Sequence, residues 1–390
     1  MQICELRKEE NSFNKEIVIC FATRLKRDLP DTRDSRGKRH DIPFVILSFV
    51  LATLSGRFRL SSVHRFIENR LVWLREITNT PDAKLISRAH LPRLLAGLNW
   101  ALLNGLIARY LEPKIGHAQI AAWFALDGKA LRGSQYGEDR QSIVFAVNHQ
   151  TRVTVACAPQ IGTKSSEIPV VRNLLKETEL DAQKVTLDAH HCNPETTAQI
   201  NQAGGIYLVQ VKENQRALQQ QCILMQQTSV AIAQLETHDK AHGRITSRRI
   251  QLFALPEKIA PRWAKSALKT VVVVTRETLN IVKQKTTYET SYYVSNQQLS
   301  ANNKEATADL AQAVQKHWGV ESNNWIRDSS FLEDKIKVKH GTQGQIMACL
   351  RGMAIELLRR AGVSNFVAAM ERLNDIPEKL KSTLQQIHFL

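Results

Sequence analysis

The chain has no CxxC pair, no zinc-knuckle spacing, no internal repeat and no low-complexity tract. Its six cysteines, Cys4, Cys20, Cys157, Cys192, Cys222 and Cys349, are scattered, which argues against a structural zinc site. Scattered thiols fit a reducing, cytoplasmic setting, where they act as small core hydrophobes. No apolar run reaches the roughly 20 residues that span a bilayer. The most apolar stretch, IPFVILSFVLATLSG over 42–56, runs straight into Arg57 and Arg59 and reads as a buried helix, so a membrane partner is not expected. Acids are also short: 37 Asp and Glu stand against 53 Lys and Arg, a net charge of +16 with pI near 9.7. Such an imbalance points to a polyanion, nucleic acid first, with a merely basic solvated surface as the other reading.

What is present suffices for two or three domains: 390 residues with 43% hydrophobic content. Residues 1–20 carry no pattern and read as an extension, frayed or added by an upstream start. Between 24 and 39 basic residues gather around LPDT, a segment suited to a phosphate backbone or to a solvated loop. Apolar residues at three- and four-residue steps make 42–111 all-helical. Near Ala121 the period changes. Strands are predicted over 123–133, 141–149 and 151–161, then a helix over 166–177, a strand over 184–188, a helix over 194–203 and a strand over 206–211. This is an α/β pattern in the order of an RNase H-like core. Between 212 and 300 come β-rich runs, including RITSRRIQLFAL, LKTVVVVTRET and TTYETSYYVSN, before a helix over 309–326 and an amphipathic helix over 346–360.

Three acids stand out. Asp127 in FALDGKALRGS and Asp188 in KVTLDAHH each close an apolar run, where a strand leaves the core, and Glu321 lies on the helix of QKHWGVESNNWIRD. Singly, Asp127 reads as a turn acid before Gly128, Asp188 as a helix cap and Glu321 as a surface acid. As an ordered set they resemble a clamp for hard divalent ions, which take oxygen ligands. His190 and His191 lack partners at zinc spacing and read as residues at the mouth of such a site.

Together with LPDTRDSRGKRH, LDGKALRGS, KSSEIPVV, TLDAHH, VKENQ, HGRITSRR, HWGVES, WIRDSSFLED and ACLRGMAIELLRRAG, these words resemble the DDE transposases of bacterial insertion sequences, in the family that includes the H-repeat-associated proteins of Rhs elements. Each word is weak alone; their order and spacing are specific. The resemblance implies a helical DNA-binding domain over 21–118, an RNase H-like catalytic domain over 119–345 with an all-β insertion over about 215–300, and C-terminal helices over 346–390 packed on the core. It implies two Mg²⁺ ions, with Mn²⁺ able to substitute: Asp127 bridging both, Asp188 holding one and Glu321 the other. Expected partners are double-stranded DNA, as terminal inverted repeats and target, and a second copy in a synaptic homodimer. The expected DNA contacts are Arg36, Lys38, Arg39, Lys129, Arg132, Lys212, His242, Arg244, His317, Trp318, Arg327 and Lys335. An inactive relative that only binds DNA, or an RNase H-like nuclease without strand transfer, are the alternatives. One departure stands out: Ser322 follows the glutamate in ESNNW, which is one residue short of the family pattern. That loss turns Trp325, Arg327 and Asp328 by about 100° around the helix.

Overall fold

The computed structural model describes residues 25, 27–31, 33–34, 38–111, 122–136, 139–161, 167–241, 243–255, 260–299, 304–338 and 341–386. Among the described residues the N-terminal part holds the helices α1 (Ile42–Leu54), α2 (Leu60–Asn69), α3 (Leu71–Ile77), α4 (His90–Ala96) and α5 (Trp100–Leu111). Asp41 caps α1 by accepting the N–H of Phe44 at 2.8 Å, Pro43 fits the first turn, and Gly56 at φ 73° carries the chain away. Every α1 residue except Pro43 is buried, as expected for a helix with no polar face. The N-terminal helices do not form a core of their own. One apolar cluster runs from Phe44 and Leu51 through Leu126, Leu187 and Val209 to Leu350 and Leu357. Among the described residues no single helix is long and apolar enough to cross a membrane.

The centre is one mixed sheet of nine strands: β1 (Trp123–Tyr136), β2 (Asp139–Asn148), β3 (Thr154–Ile161), β4 (Lys184–Leu187), β5 (Ile206–Val211), β6 (Ala233–Ala241), β7 (Arg244–Ala254), β8 (Thr270–Asn280) and β9 (Lys285–Ser295). Their order is β3-β2-β1-β4-β5-β9-β8-β7-β6. Among the described residues only β1–β4 and β4–β5 are parallel. Those central strands are apolar because helices cover both faces. The helices α6 (Glu167–Glu177), α7 (Pro194–Gln202) and α8 (Arg216–Thr228) connect strands, and α9 (Lys304–Ser329), α10 (Gly341–Arg360), α11 (Phe366–Asp375) and α12 (Pro377–Gln386) close the chain.

The expected all-β insertion needs one correction: it opens with a helix, α8. Val209 on β5 pairs with Val294 on β9, so β6–β9 extend the central sheet along its free edge. An unpaired edge beside β5 would leave backbone N–H and C=O groups open, and β9 satisfies them. The sequence pattern marked β7, β8 and β9 but not β6, and could not show which edge they join.

Strand periodicity decides which face the acids use. In β1 and β4, Ala125 is registered with Thr186 and Leu126 with Leu187. Leu126 and Leu187 enter the cluster shared with α6, whereas Ala125 packs with Val320 of α9 and Thr186 bonds His317 of α9. Two residues on, Asp127 and Asp188 fall on the α9 side of neighbouring strand ends.

Candidate active site

Asp127, half-buried at the end of the apolar part of β1, accepts a hydrogen bond from Asn324 Nδ2 of α9 at 2.9 Å. Asp188 directly follows β4 and caps a short 3-10 turn, accepting the N–H of His190 at 2.9 Å and of His191 at 3.4 Å. The α7 cap is taken by Asn193, whose Oδ1 accepts from the N–H of Thr196 at 2.9 Å. Glu321 is exposed on α9, one turn before Asn324. Burial first, and then the negative charges of Asp188, Glu167 and Glu321, push the Asp127 carboxyl up to about 7. All three predicted acids therefore act on one locus, together with a fourth.

That fourth acid is Glu167, the first residue of α6. Glu167 stands in KSSEIPVV, one of the words that carry the family resemblance, which implies no role for it. Glu167 is buried, accepts from His191 Nε2 at 3.0 Å, and lies so close to Gly128 that a Cβ there would stand 2.5 Å from its carboxyl carbon. His191 is fully buried on this carboxylate rather than standing at the mouth of the site.

Four carboxylates and one carboxamide form a hard oxygen donor set whose charge suits divalent cations such as Mg²⁺. Among the described residues, no three His, Cys, Asp or Glu side chains are arranged to hold one ion. Asp127 and Asp188 are turned instead onto Asn324 and onto backbone N–H groups. The donor chemistry is that of a hard-cation site.

Of the basic residues expected on DNA, Lys38, Arg39, Arg132, Lys212, Arg244 and Lys335 are exposed. Arg36 and His242 lie outside the described residues, as does the side chain of Trp318. Three expectations are corrected. Lys129 is buried, with Nζ 2.7 Å from Asp328, 3.0 Å from Asp334 and 3.6 Å from Glu333. Arg327 is 1% exposed, with its guanidinium 4.3 Å from the Phe145 ring centroid and bonded to Glu333 and to the Ala348 carbonyl. His317 shares Thr186 Oγ1 with His149, and burial pushes its imidazole down to about 4, so it offers no cation to a phosphate.

The corrected residues tie α9 to the sheet. Asp309 bonds Trp123 and Lys184, His317 bonds Thr186, Asn324 bonds Asp127 and Asp328 pairs with Lys129. These positions recur along one face of the helix, so Glu321, between His317 and Asn324, is held over the strand ends. Trp325 faces outward, 68% exposed, along an open groove that Glu321 and Phe366 also line.

Residues 124–357 match the family model described as Transposase DDE domain, and residues 25–111 match the model described as DDE_Tnp_1-associated. The chain is 23% identical over 354 residues to the H repeat-associated protein YhhI of Escherichia coli K12, covering 88% of this chain and 91% of that protein. The same identity and coverage hold for YbfL of that strain. A protein of the dhlA 3′ region of Xanthobacter autotrophicus is 29% identical over 276 residues, covering 65% of this chain and 87% of that protein. With its acids at two strand ends and a helix, and a family match over more than half its length, the chain belongs to the DDE transposases, in the family of the H repeat-associated proteins.

Proposed function

We propose that the protein is the transposase of an insertion sequence: it binds terminal inverted repeats in double-stranded DNA, hydrolyses strands at the element ends and joins the freed 3′-hydroxyls to target DNA. The observation that carries this reading is Asp127, a half-buried carboxyl on which three other acids bear. Such crowding is unfavourable without a compensating cation, and DDE transposase domains in general use divalent metal ions. The order β3-β2-β1-β4-β5, with acids at the neighbouring ends of β1 and β4, supports reading the core as RNase H-like.

In this reading Asp127, Asp188 and Glu321 are the catalytic acids and hold two Mg²⁺ ions, with Mn²⁺ as a substitute. Bound metal would make the attacking water or 3′-hydroxyl more acidic and stabilise charge on the leaving oxygen. The chain's own contribution is placement. Asn324 orients Asp127, the turn N–H groups orient Asp188, and the ties along α9 fix Glu321. Exposed Lys38, Arg39, Arg132, Lys212, Arg244 and Lys335 meet phosphates, so raising salt weakens binding steeply. Synapsis of two ends calls for a homodimer, and the chemistry belongs to the cytoplasm, where bacterial DNA lies.

The test is cleavage of end-labelled DNA carrying the element's termini, with binding measured in parallel. Asp188→Ala and Glu321→Ala are expected to lower cleavage about 10³-fold or more, several kcal/mol of lost transition-state stabilisation, while end binding persists. Full-rate cutting by either variant would overturn the assignment. Binding by the wild type without any cleavage in Mg²⁺ would favour a DNA-binding relative that has lost its chemistry.

A further inference from the structure

We propose that Glu167, held in place by His191, is a fourth carboxylate of the metal-binding site. This rests on the functional reading above and adds to it a residue from the other face of the sheet. Three observations converge. The Glu167 carboxyl lies against Gly128, the next residue after Asp127, at a distance that leaves no room for a Cβ. It is 8% exposed, and a carboxylate buried to that degree needs a role or a partner. Its partner is His191, three residues beyond Asp188 on the turn that Asp188 caps, with Nε2 3.0 Å from Glu167 and 3.9 Å from Asp188.

The backbone explains the approach. Leu126 and Gly128 face α6, and Asp127 faces α9, so an acid on α6 meets the β1 end from the side that Asp188 and Glu321 leave open. Gly128 is the gap through which it does so. Glu167 opens α6, where the helix dipole favours a carboxylate. His191 ties Glu167 and Asp188 into one unit, so its function is positioning.

An oxygen donor on each side of Asp127 gives a site that holds cations more tightly than three acids can. The experiment counts bound Mn²⁺ by electron paramagnetic resonance in the full-length protein and measures DNA-end cleavage on the same samples. Glu167→Gln keeps the shape and the His191 partner but removes the charge. It is expected to weaken Mn²⁺ binding at least 10-fold and cleavage about 100-fold, with circular dichroism unchanged. Gly128→Ala alters no acid, yet by displacing the Glu167 carboxyl it is expected to weaken Mn²⁺ binding in the same direction. His191→Gln, which can still donate to Glu167, is expected to lose less than His191→Ala. Wild-type Mn²⁺ affinity in Glu167→Gln, alongside loss in Asp188→Ala, would overturn the fourth-acid proposal and leave the three-acid site standing. Wild-type affinity in both would overturn the site as a whole.

Discussion

Replacing Glu333 by Ala is expected to destabilise the protein by about 3–5 kcal/mol, the cost of stranding buried charges. Glu333 is 4% exposed and accepts from both Arg351 and Arg327, with Lys129 3.6 Å away. Burial alone would raise its carboxyl, but Arg327, Arg351 and Lys129 together outweigh burial and hold it down at about 2. Because the folded value lies below the ordinary 4.5, this contribution is present above pH 4.5 and is lost as pH falls toward 2. Urea melts at pH 7 check the magnitude, and the loss should reach beyond stability. The same network seats Arg327 and pairs Lys129 with Asp328, so α9 would loosen over the strand ends and cleavage would fall as well. Replacing Arg327 and Arg351 by Met together with Glu333→Ala is expected to recover much of the stability, since an apolar set of similar volume needs no compensation. A Glu333→Ala protein as stable as the wild type would show that the network contributes nothing.

The second large effect has the opposite sign for stability. Asp127→Asn is expected to abolish cleavage and at the same time raise the metal-free melting temperature. Burial, Asp188, Glu167 and Glu321 lift the Asp127 carboxyl from 3.8 to about 7, so the folded protein binds a proton there that the unfolded chain releases. The native state is therefore penalised progressively as pH rises from about 4 to about 7, and the full penalty applies above that. Converted directly the shift is about 4 kcal/mol, and solvent screening at this half-buried group reduces it to about 2 kcal/mol, or roughly 3 °C. The substituted Asn still accepts from Asn324. Scanning calorimetry in chelator at pH 5, 6, 7 and 8 should show the gap between variant and wild type widening up to pH 7 and constant beyond it. Added Mg²⁺ should stabilise the wild type more than the variant. A wild type that melts above Asp127→Asn at pH 8 in chelator would contradict the crowding of acids.

How much of this was legible beforehand differs residue by residue. The placement of Asp127 and Asp188 at strand ends was readable because an apolar run that stops at an acid marks a strand leaving the core, and that of Glu321 on a helix because α9 is strongly periodic. Glu167 was not readable, since an acid in the first turn of a helix is ordinary and only the three-dimensional contact with Gly128 gives it a role. Lys129 and Arg327 sit in basic words, and basic words read as phosphate contacts. Their partners lie elsewhere in the chain, 205 residues on in the case of Lys129 and Asp334, and no local pattern reports such a pairing. Strands β7, β8 and β9 were visible by composition and the polar β6 was not, while their docking on β5 depends on which edge was free. The ESNNW segment lies within α9, continuous from Lys304 to Ser329, with Asn324 on Asp127, Trp325 outward and Arg327 in the core.

The central claim, that acids from distant segments surround one metal site, is open to a direct chemical map. Fe²⁺ replaces Mg²⁺ in the purified protein, and ascorbate with peroxide then generates hydroxyl radicals that cut the backbone within a few ångströms of the bound ion. Cuts are expected together around Asp127, Asp188 and Glu321, all suppressed by excess Mg²⁺ and all lost in Asp127→Asn. Cuts confined to one of these segments, or spread without regard to them, would contradict a shared site.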